Sequence, residues 1–445
     1  MIASLDRNAR SGVKRFARIV PMLAMVFLVA SSNAAIAQSF KKLDPKIDDR
    51  EAKQMRGQVA LAFRNPAGFQ ENKQVLDDYF NKYYFPKMTL PSQLAQLGKA
   101  RENLLKYIRL SKVPAAQQHL TNLSLAAMRV MAQGNFHPAV RYNAVLVLGS
   151  LDEKVAGTGP AATAPVPLPA STKELLDLLE NDEFNDVKVP PSVKLGALVG
   201  LERHARFGVD AQYSDRLTKA TLAIATQEEP PADLDSEVHH WIKCQAARIL
   251  VRQFAEGPNA EVQAALMGMI ADANMGLEDR CCVAELLQNI KYDQAAGIEM
   301  AATVTALGNL TKSVTSDEAE KANEFQQEML RGSGRGVFGG PPLTYQRRRL
   351  ISRLGSIVNG ANSVSKGLPD ADRQQLTTLL SALQPILDFA DDKDAEDLEI
   401  TPKVIDLNDQ VRNLVDSWKP AASEEPAELP PAEQPPAEQP AADLS

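Results

Sequence analysis

Four segments of this chain carry the same three-point stripe, and that repetition restricts the fold more than any other feature. Val140-Arg141, Val193-Lys194, Ile242-Lys243 and Asp279-Arg280 each place a cation directly after the first stripe position. Three residues beyond the cation stands a small or β-branched apolar residue: Ala144, Ala197, Ala246 or Val283. Four further on stands a leucine: Leu148, Leu201, Leu250 or Leu287. Steps of four residues turn an α-helix by only about 40° each, so the three positions share one narrow face. A small residue in the middle lets a second helix approach closely. The segments recur after 53, 49 and 37 residues, each gap leaving room for one further helix. Such a period marks stacked two-helix units, which bury their apolar faces only against their neighbours. Strand patterning is thin: Val187-Lys188-Val189 is too short, and alanine and leucine dominate. The expectation is an all-α fold of stacked antiparallel helix pairs with flanking helices.

The pattern resembles HEAT repeats, whose second helix in each pair carries Val-Arg or Val-Lys, then alanine, then leucine. The run from His137-Pro138-Ala139-Val140-Arg141 to Leu151 matches best, and the resemblance covers roughly residues 112 to 291. It implies an α-solenoid in which Arg141, Lys194, Lys243 and Arg280 form a structural ladder by pairing with acids in adjacent turns. It also implies that the opposite helix face lines an inner surface, where solenoids bind partners. That face carries Tyr142, Leu146 and Gly149, then Leu195, Val199 and Glu202, then Cys244, Arg248 and Val251, then Cys281, Glu285 and Gln288, grading from apolar to polar. A helix apolar all round is usually covered. Either the aromatic N-terminal segment or the C-terminal helices close over Tyr142, Leu146, Leu195 and Val199, or these four form a groove for a partner's apolar helix or peptide.

The first residues read as an address. Arg7, Arg10, Lys14, Arg15 and Arg18 precede an apolar run from Ile19 to Ala30 and the small-residue site Ala35-Ile36-Ala37, the three parts of a secretory signal cleaved between Ala37 and Gln38. Twelve apolar residues span about 18 Å, too short for a bilayer core of about 30 Å. The expected divisions are a signal at 1–37, an N-terminal helical segment at 38–110, repeats at 111–291, a C-terminal helical region at 292–419 and a disordered tail at 420–445. The tail repeats Pro-Pro-Ala-Glu-Gln from Pro430 and from Pro435 and has almost no large apolar side chains to offset ordering. A second proline-rich stretch, Ala156 to Ala170, reads as an insertion at a repeat edge. Cleavage removes five basic groups and one acid, taking the formal charge from −7 to −11, with six acids in the tail. An acidic exported chain has no electrostatic footprint for nucleic acid.

Chemical motifs are sparse. Three cysteines make no disulfide framework; the adjacent Cys281 and Cys282 cannot bridge each other, and Cys244 reaches one of them only if neighbouring helices come very close. The five histidines, His119, His137, His204, His239 and His240, show no metal spacing, and neither a G-x-S-x-G elbow nor a phosphate loop is present. Gly332-Ser333-Gly334-Arg335-Gly336 lacks a following Gly-Lys-Ser/Thr and reads as a linker. Glu318, Glu320, Asp391 and Asp392 read as surface acids. Arg347, Arg348, Arg349 and Arg353 flank an apolar stripe of Leu343, Leu350, Leu354 and Ile357, a basic amphipathic pattern that suits a core-packed helix or contact with an anionic membrane or cell envelope. The reading is an exported interaction module or envelope scaffold for a protein or peptide partner, with no cofactor, no metal and no catalysis of its own. The second reading is an exported enzyme or accessory subunit with dispersed catalytic residues.

Overall fold

Polar caps and prolines set where the helices begin. The Asn65 side chain accepts the Gly68 N–H, and Asp210, Asp235 and Asn259 cap later helices in the same way. Proline opens the helices that start at Pro66, Pro114, Pro138, Pro169 and Pro191, where its missing N–H costs no intrahelical bond. The computed structural model describes residues 39–157, 162–232, 234–294, 300–330 and 344–418. The expected signal with Ala37 and Gln38, the glycine-rich stretch, Leu343 and the tail lie outside the described residues, as do 158–161 of the proline-rich insertion.

In chain order the helices are α1 (Asp49–Ala62), α2 (Pro66–Tyr79), α3 (Leu97–Arg109), α4 (Pro114–Gln133), α5 (Pro138–Leu148), α6 (Pro169–Glu180), α7 (Pro191–Phe207), α8 (Ala211–Ala225), α9 (Ser236–Gln253), α10 (Ala260–Ala271), α11 (Leu277–Leu286), α12 (Ala301–Leu330), α13 (Arg347–Val364), α14 (Asp370–Asp391) and α15 (Asp397–Asp416). They fold as stacked antiparallel pairs, an arrangement compatible with an α-solenoid. The pairs α4/α5, α6/α7, α8/α9, α10/α11 and α12/α13 follow one another, with the first helices touching along one layer and the second helices along the other. At one end α2 packs beside α4 and α3 beside α5. The stacking therefore continues on both sides of residues 111–291. At the far end α15 runs antiparallel along α12, with Lys312 paired to Asp416 at 2.5 Å, Gln326 donating to Thr401 at 2.9 Å and Trp418 lying on Gly308.

The stripe is the seam of this stack. Ala144, Ala197, Ala246 and Val283 are fully buried, as are Leu148, Leu201, Leu250 and Leu287. At the first position Val140 and Val193 are buried, whereas Ile242 and Asp279 are half-buried. Glycine permits the closest approach. A Cβ on Gly149 would stand 2.5 Å from the Gly200 Cα, and one on Gly360 would meet the Ala284 carbonyl oxygen of α11 at 2.1 Å. Gly149 thus belongs to the α5–α7 contact rather than to an open inner face.

Two small hairpins interrupt the helices, β1 (Asp152–Lys154) with β2 (Val166–Pro167) and β3 (Glu183–Phe184) with β4 (Val187–Lys188). The first closes the proline-rich insertion, and Arg203 of α7 holds its base through Asp152 at 2.7 Å. The second turns through Asn185 and Asp186 in left-handed conformation, φ 48° and 63°, as a two-residue hairpin turn requires. It explains why Val187-Lys188 is extended although too short to read as a strand.

Replacing Gly149 with alanine is expected to push α5 from α7 and destabilise the fold by about 1–3 kcal/mol. Gly355→Ala, in the interior of α13 with no atom near the added methyl, is expected to stabilise by about 0.5–1 kcal/mol. Urea midpoints of the two variants, measured beside the parent, check both signs.

Candidate partner surface

The expected groove lies where α5 and α7 run parallel. Tyr142 and Leu146 come from α5, Leu195 and Val199 from α7, and the Tyr142 ring rests against Gly196, whose added Cβ would stand 3.2 Å from it. The structure brings the four together but does not leave them equally open. Leu195 is only 5% exposed, while Tyr142, Leu146 and Val199 are half-buried. The aromatic run does not lie over them. Tyr79, Phe80, Tyr83 and Phe85 pack on one another and on Tyr107 of α3, with Phe80 to Tyr107 at 5.6 Å edge to face.

The cations of the ladder do not all find acids. Arg141 donates to the Ala132 carbonyl at the end of α4 (2.9 Å) and to the Lys188 carbonyl of the second hairpin (2.7 Å), and Arg280 donates to the Ile270 carbonyl at the end of α10 (2.7 Å). Lys194 and Lys243 instead pair with Asp182 (2.6 Å) and Asp272 (3.7 Å), which stand just beyond the ends of α6 and α10. All four thus sit at the C-terminal ends of first helices, where orphan carbonyls and the helix dipole favour a cation. The pairing with acids in adjacent turns therefore holds only for the two lysines, because the arginines go instead to backbone carbonyls, invisible in side-chain patterns.

Further along the second helices the surface turns polar, and there the thiols meet. Arg248 of α9 donates to the Cys282 sulfur of α11 at 3.2 Å, and its Nε has no hydrogen-bond partner among the described residues. Cys244 donates toward the carbonyl and carboxylate oxygens of Asp279, each at 3.8 Å, one turn before Cys282. The Cys244 S–H and the Arg248 guanidinium together hold Cys282 below the ordinary thiol range, whereas burial pushes the neighbouring Cys281 up to about 12. Cys244, Val251 and Cys281, expected on the inner face, are buried instead.

The basic helix α13 turns most of its charge inward. Glu318 of α12, expected at the surface, is fully buried and accepts from Arg349 (2.7 and 3.0 Å), Arg353 (2.8 Å) and the Tyr345 hydroxyl (2.7 Å). Arg353 also reaches Glu278 at 2.8 Å, and Arg347 pairs with Asp397 at 3.0 Å. Only Arg348 of the four is exposed. Two guanidinium groups offset the desolvation of the carboxylate, which makes the α12–α13 contact specific.

A cavity of about 210 Å³ that the sequence did not suggest opens beside the aromatic run, walled by Arg56, Tyr79, Tyr83, Tyr84, Lys87 and Lys99. It forms because residues Phe80–Tyr84 make a π-helical turn, a widened turn that rotates the tyrosines out of α-helical register. Its charges are partly matched already: Lys87 pairs with Asp49 at 2.6 Å and donates to the Tyr83 hydroxyl at 2.9 Å.

Behind the groove, between α6 and α7, His204 is fully buried and its Nδ1 lies 2.9 Å from the Thr172 hydroxyl. Burial lowers it to about 3. Because the unfolded histidine titrates near 6.5, the unfolded state takes up the proton first as pH falls. The stability held by neutral His204 is thus complete above about pH 6.5 and lost progressively toward the folded value. A His204→Gln variant is expected to lose about 2–3 kcal/mol less than the parent between pH 6.5 and 4.5. Parallel stability profiles in chemical denaturation would contradict this.

The chain matches no known protein family, no curated protein and no solved structure.

Proposed function

We propose that the protein is an exported, HEAT-like helical-repeat module that acts by holding a protein or peptide partner and carries no catalysis of its own. The observation that supports this reading best is the α5–α7 surface. In a stack that fully buries the alanines and leucines of its seam, Tyr142, Leu146 and Val199 stay half-open side by side on neighbouring second helices. Apolar side chains spaced in that way suit the apolar stripe of a partner helix or an extended peptide. A membrane-surface role has less support, because Arg347, Arg349 and Arg353 are engaged by Asp397, Glu318 and Glu278 and so are drawn away from anionic lipid.

Export rests on the N-terminal pattern. Protein recovered from the cell envelope or medium is expected to begin at Gln38 when its N-terminus is read by mass spectrometry; an intact Met1 terminus there would refute cleavage. For the groove, Leu146→Glu with Val199→Glu is expected to abolish capture of envelope proteins that the parent retains, while circular dichroism stays helical. Identical captured sets from parent and a folded double variant would remove the groove.

A further inference from the structure

We propose that Cys282 is a peroxide-oxidised thiol and that Cys244 resolves it, joining α9 to α11 through a disulfide across neighbouring repeats. Three observations on the second-helix layer carry this. The two thiols stand on facing turns of adjacent helices: Cys244 lies 3.8 Å from Asp279, one turn before Cys282, and Arg248, one turn after Cys244, reaches the Cys282 sulfur. A guanidinium, that of Arg248, lies 3.2 Å from the Cys282 sulfur and places a positive charge where a thiolate would form. Cys282 is the half-buried member of the three cysteines, while Cys244 and Cys281 are buried.

The surroundings set which thiol attacks. Around Cys282 stand Cys244 and Arg248 on α9, Asp279 and Glu285 on α11, and Glu202 on α7, which faces Arg248. His240 faces Asp279, and Glu278 and Arg353 lie by Cys281. The acids favour a neutral thiol, and only Cys282 has a guanidinium in direct contact to oppose them. The Cys282 thiolate attacks one oxygen of hydrogen peroxide and the O–O bond breaks, giving a sulfenic acid and a hydroxide that takes a proton to become water. The Cys244 sulfur then attacks the Cys282 sulfur, the S–O bond breaks, and the hydroxyl leaves as water with the Cys244 proton. Two thiols are oxidised by two electrons and one peroxide is reduced to two waters. Formation of the S–S bond joins sulfurs that stand on facing turns of neighbouring helices.

The test uses the purified, reduced protein with equimolar hydrogen peroxide. The expected result is a mass loss of about 2 Da, the two thiol hydrogens given up when a dithiol becomes a disulfide, with Cys244 and Cys282 linked in the peptide map. Cys281→Ser is expected to leave the link intact. Cys244→Ser is expected to stop at a sulfenic acid on Cys282 that a dimedone probe captures. Alkylation of Cys282 by iodoacetamide is expected to reach half its maximal rate near pH 8.5 in guanidinium chloride and at clearly lower pH in the folded protein. Arg248→Leu is expected to shift the folded midpoint upward, and Arg248→Lys to restore part of it. No mass loss, a link through Cys281, or a folded midpoint equal to the denatured one would each overturn the proposal.

Discussion

Where α5 meets α7, the backbones at Gly149 and Gly200 come so near that a single methyl on Gly149 would strike the opposing Cα at 2.5 Å. That approach sets the spacing of the second helices, and the rest follows from it. With the helices this close, Ala144 and Ala197 are buried without a gap and Leu148 and Leu201 seal the seam below them. Full burial of one such leucine contributes roughly 1.5–3 kcal/mol, and the repetition of the stripe adds that contribution pair after pair. The same spacing brings Arg203 onto Asp152, and further along it brings Cys244 onto Asp279 and Arg248 onto Cys282.

Charge supports the stack at the helix ends rather than across its faces. Arg141 and Arg280 close the carbonyl ends of α4 and α10, and both are buried, so burial lowers their affinity for the proton they carry. Hydrogen bonds from a buried cation to otherwise orphaned carbonyls offset that desolvation, since each carbonyl would also lose its water. Glu318 follows the same logic with the sign reversed. Its desolvated carboxylate is tolerable only because Arg349, Arg353 and Tyr345 converge on it, which places α13 on α12 in one register.

The candidate surfaces were legible to different depths. Tyr142, Leu146, Leu195 and Val199 could be assigned to one neighbourhood from helical periodicity, but periodicity says nothing of how far Leu195 sinks beneath its neighbours. The α11–α13 contact escaped the stripe because it is made by small and polar groups: Gly360 against the Ala284 carbonyl, Ser356 donating to Glu285 and Ser363 donating to the Ile290 carbonyl. Hydropathy has no signal for such a seam. The tyrosine-walled cavity depends on a π-helical turn, and a one-residue widening of a helix leaves no mark that alternation or composition can register.

By itself the sequence determined that the chain is helical, that its helices repeat, and which residues form the seam, because a stripe at steps of four can be buried only by another helix. It also placed the four cations at equivalent points of that repeat. Tertiary structure alone decided what each cation holds, since carbonyls at helix ends belong to the backbone and are the same in every sequence. It decided, too, that Glu318 is interior and that Arg248 and Cys282, 34 residues apart, share a hydrogen bond. Those outcomes depend on the distance between helices, and that distance is set by the packing of glycines and alanines from separate pairs.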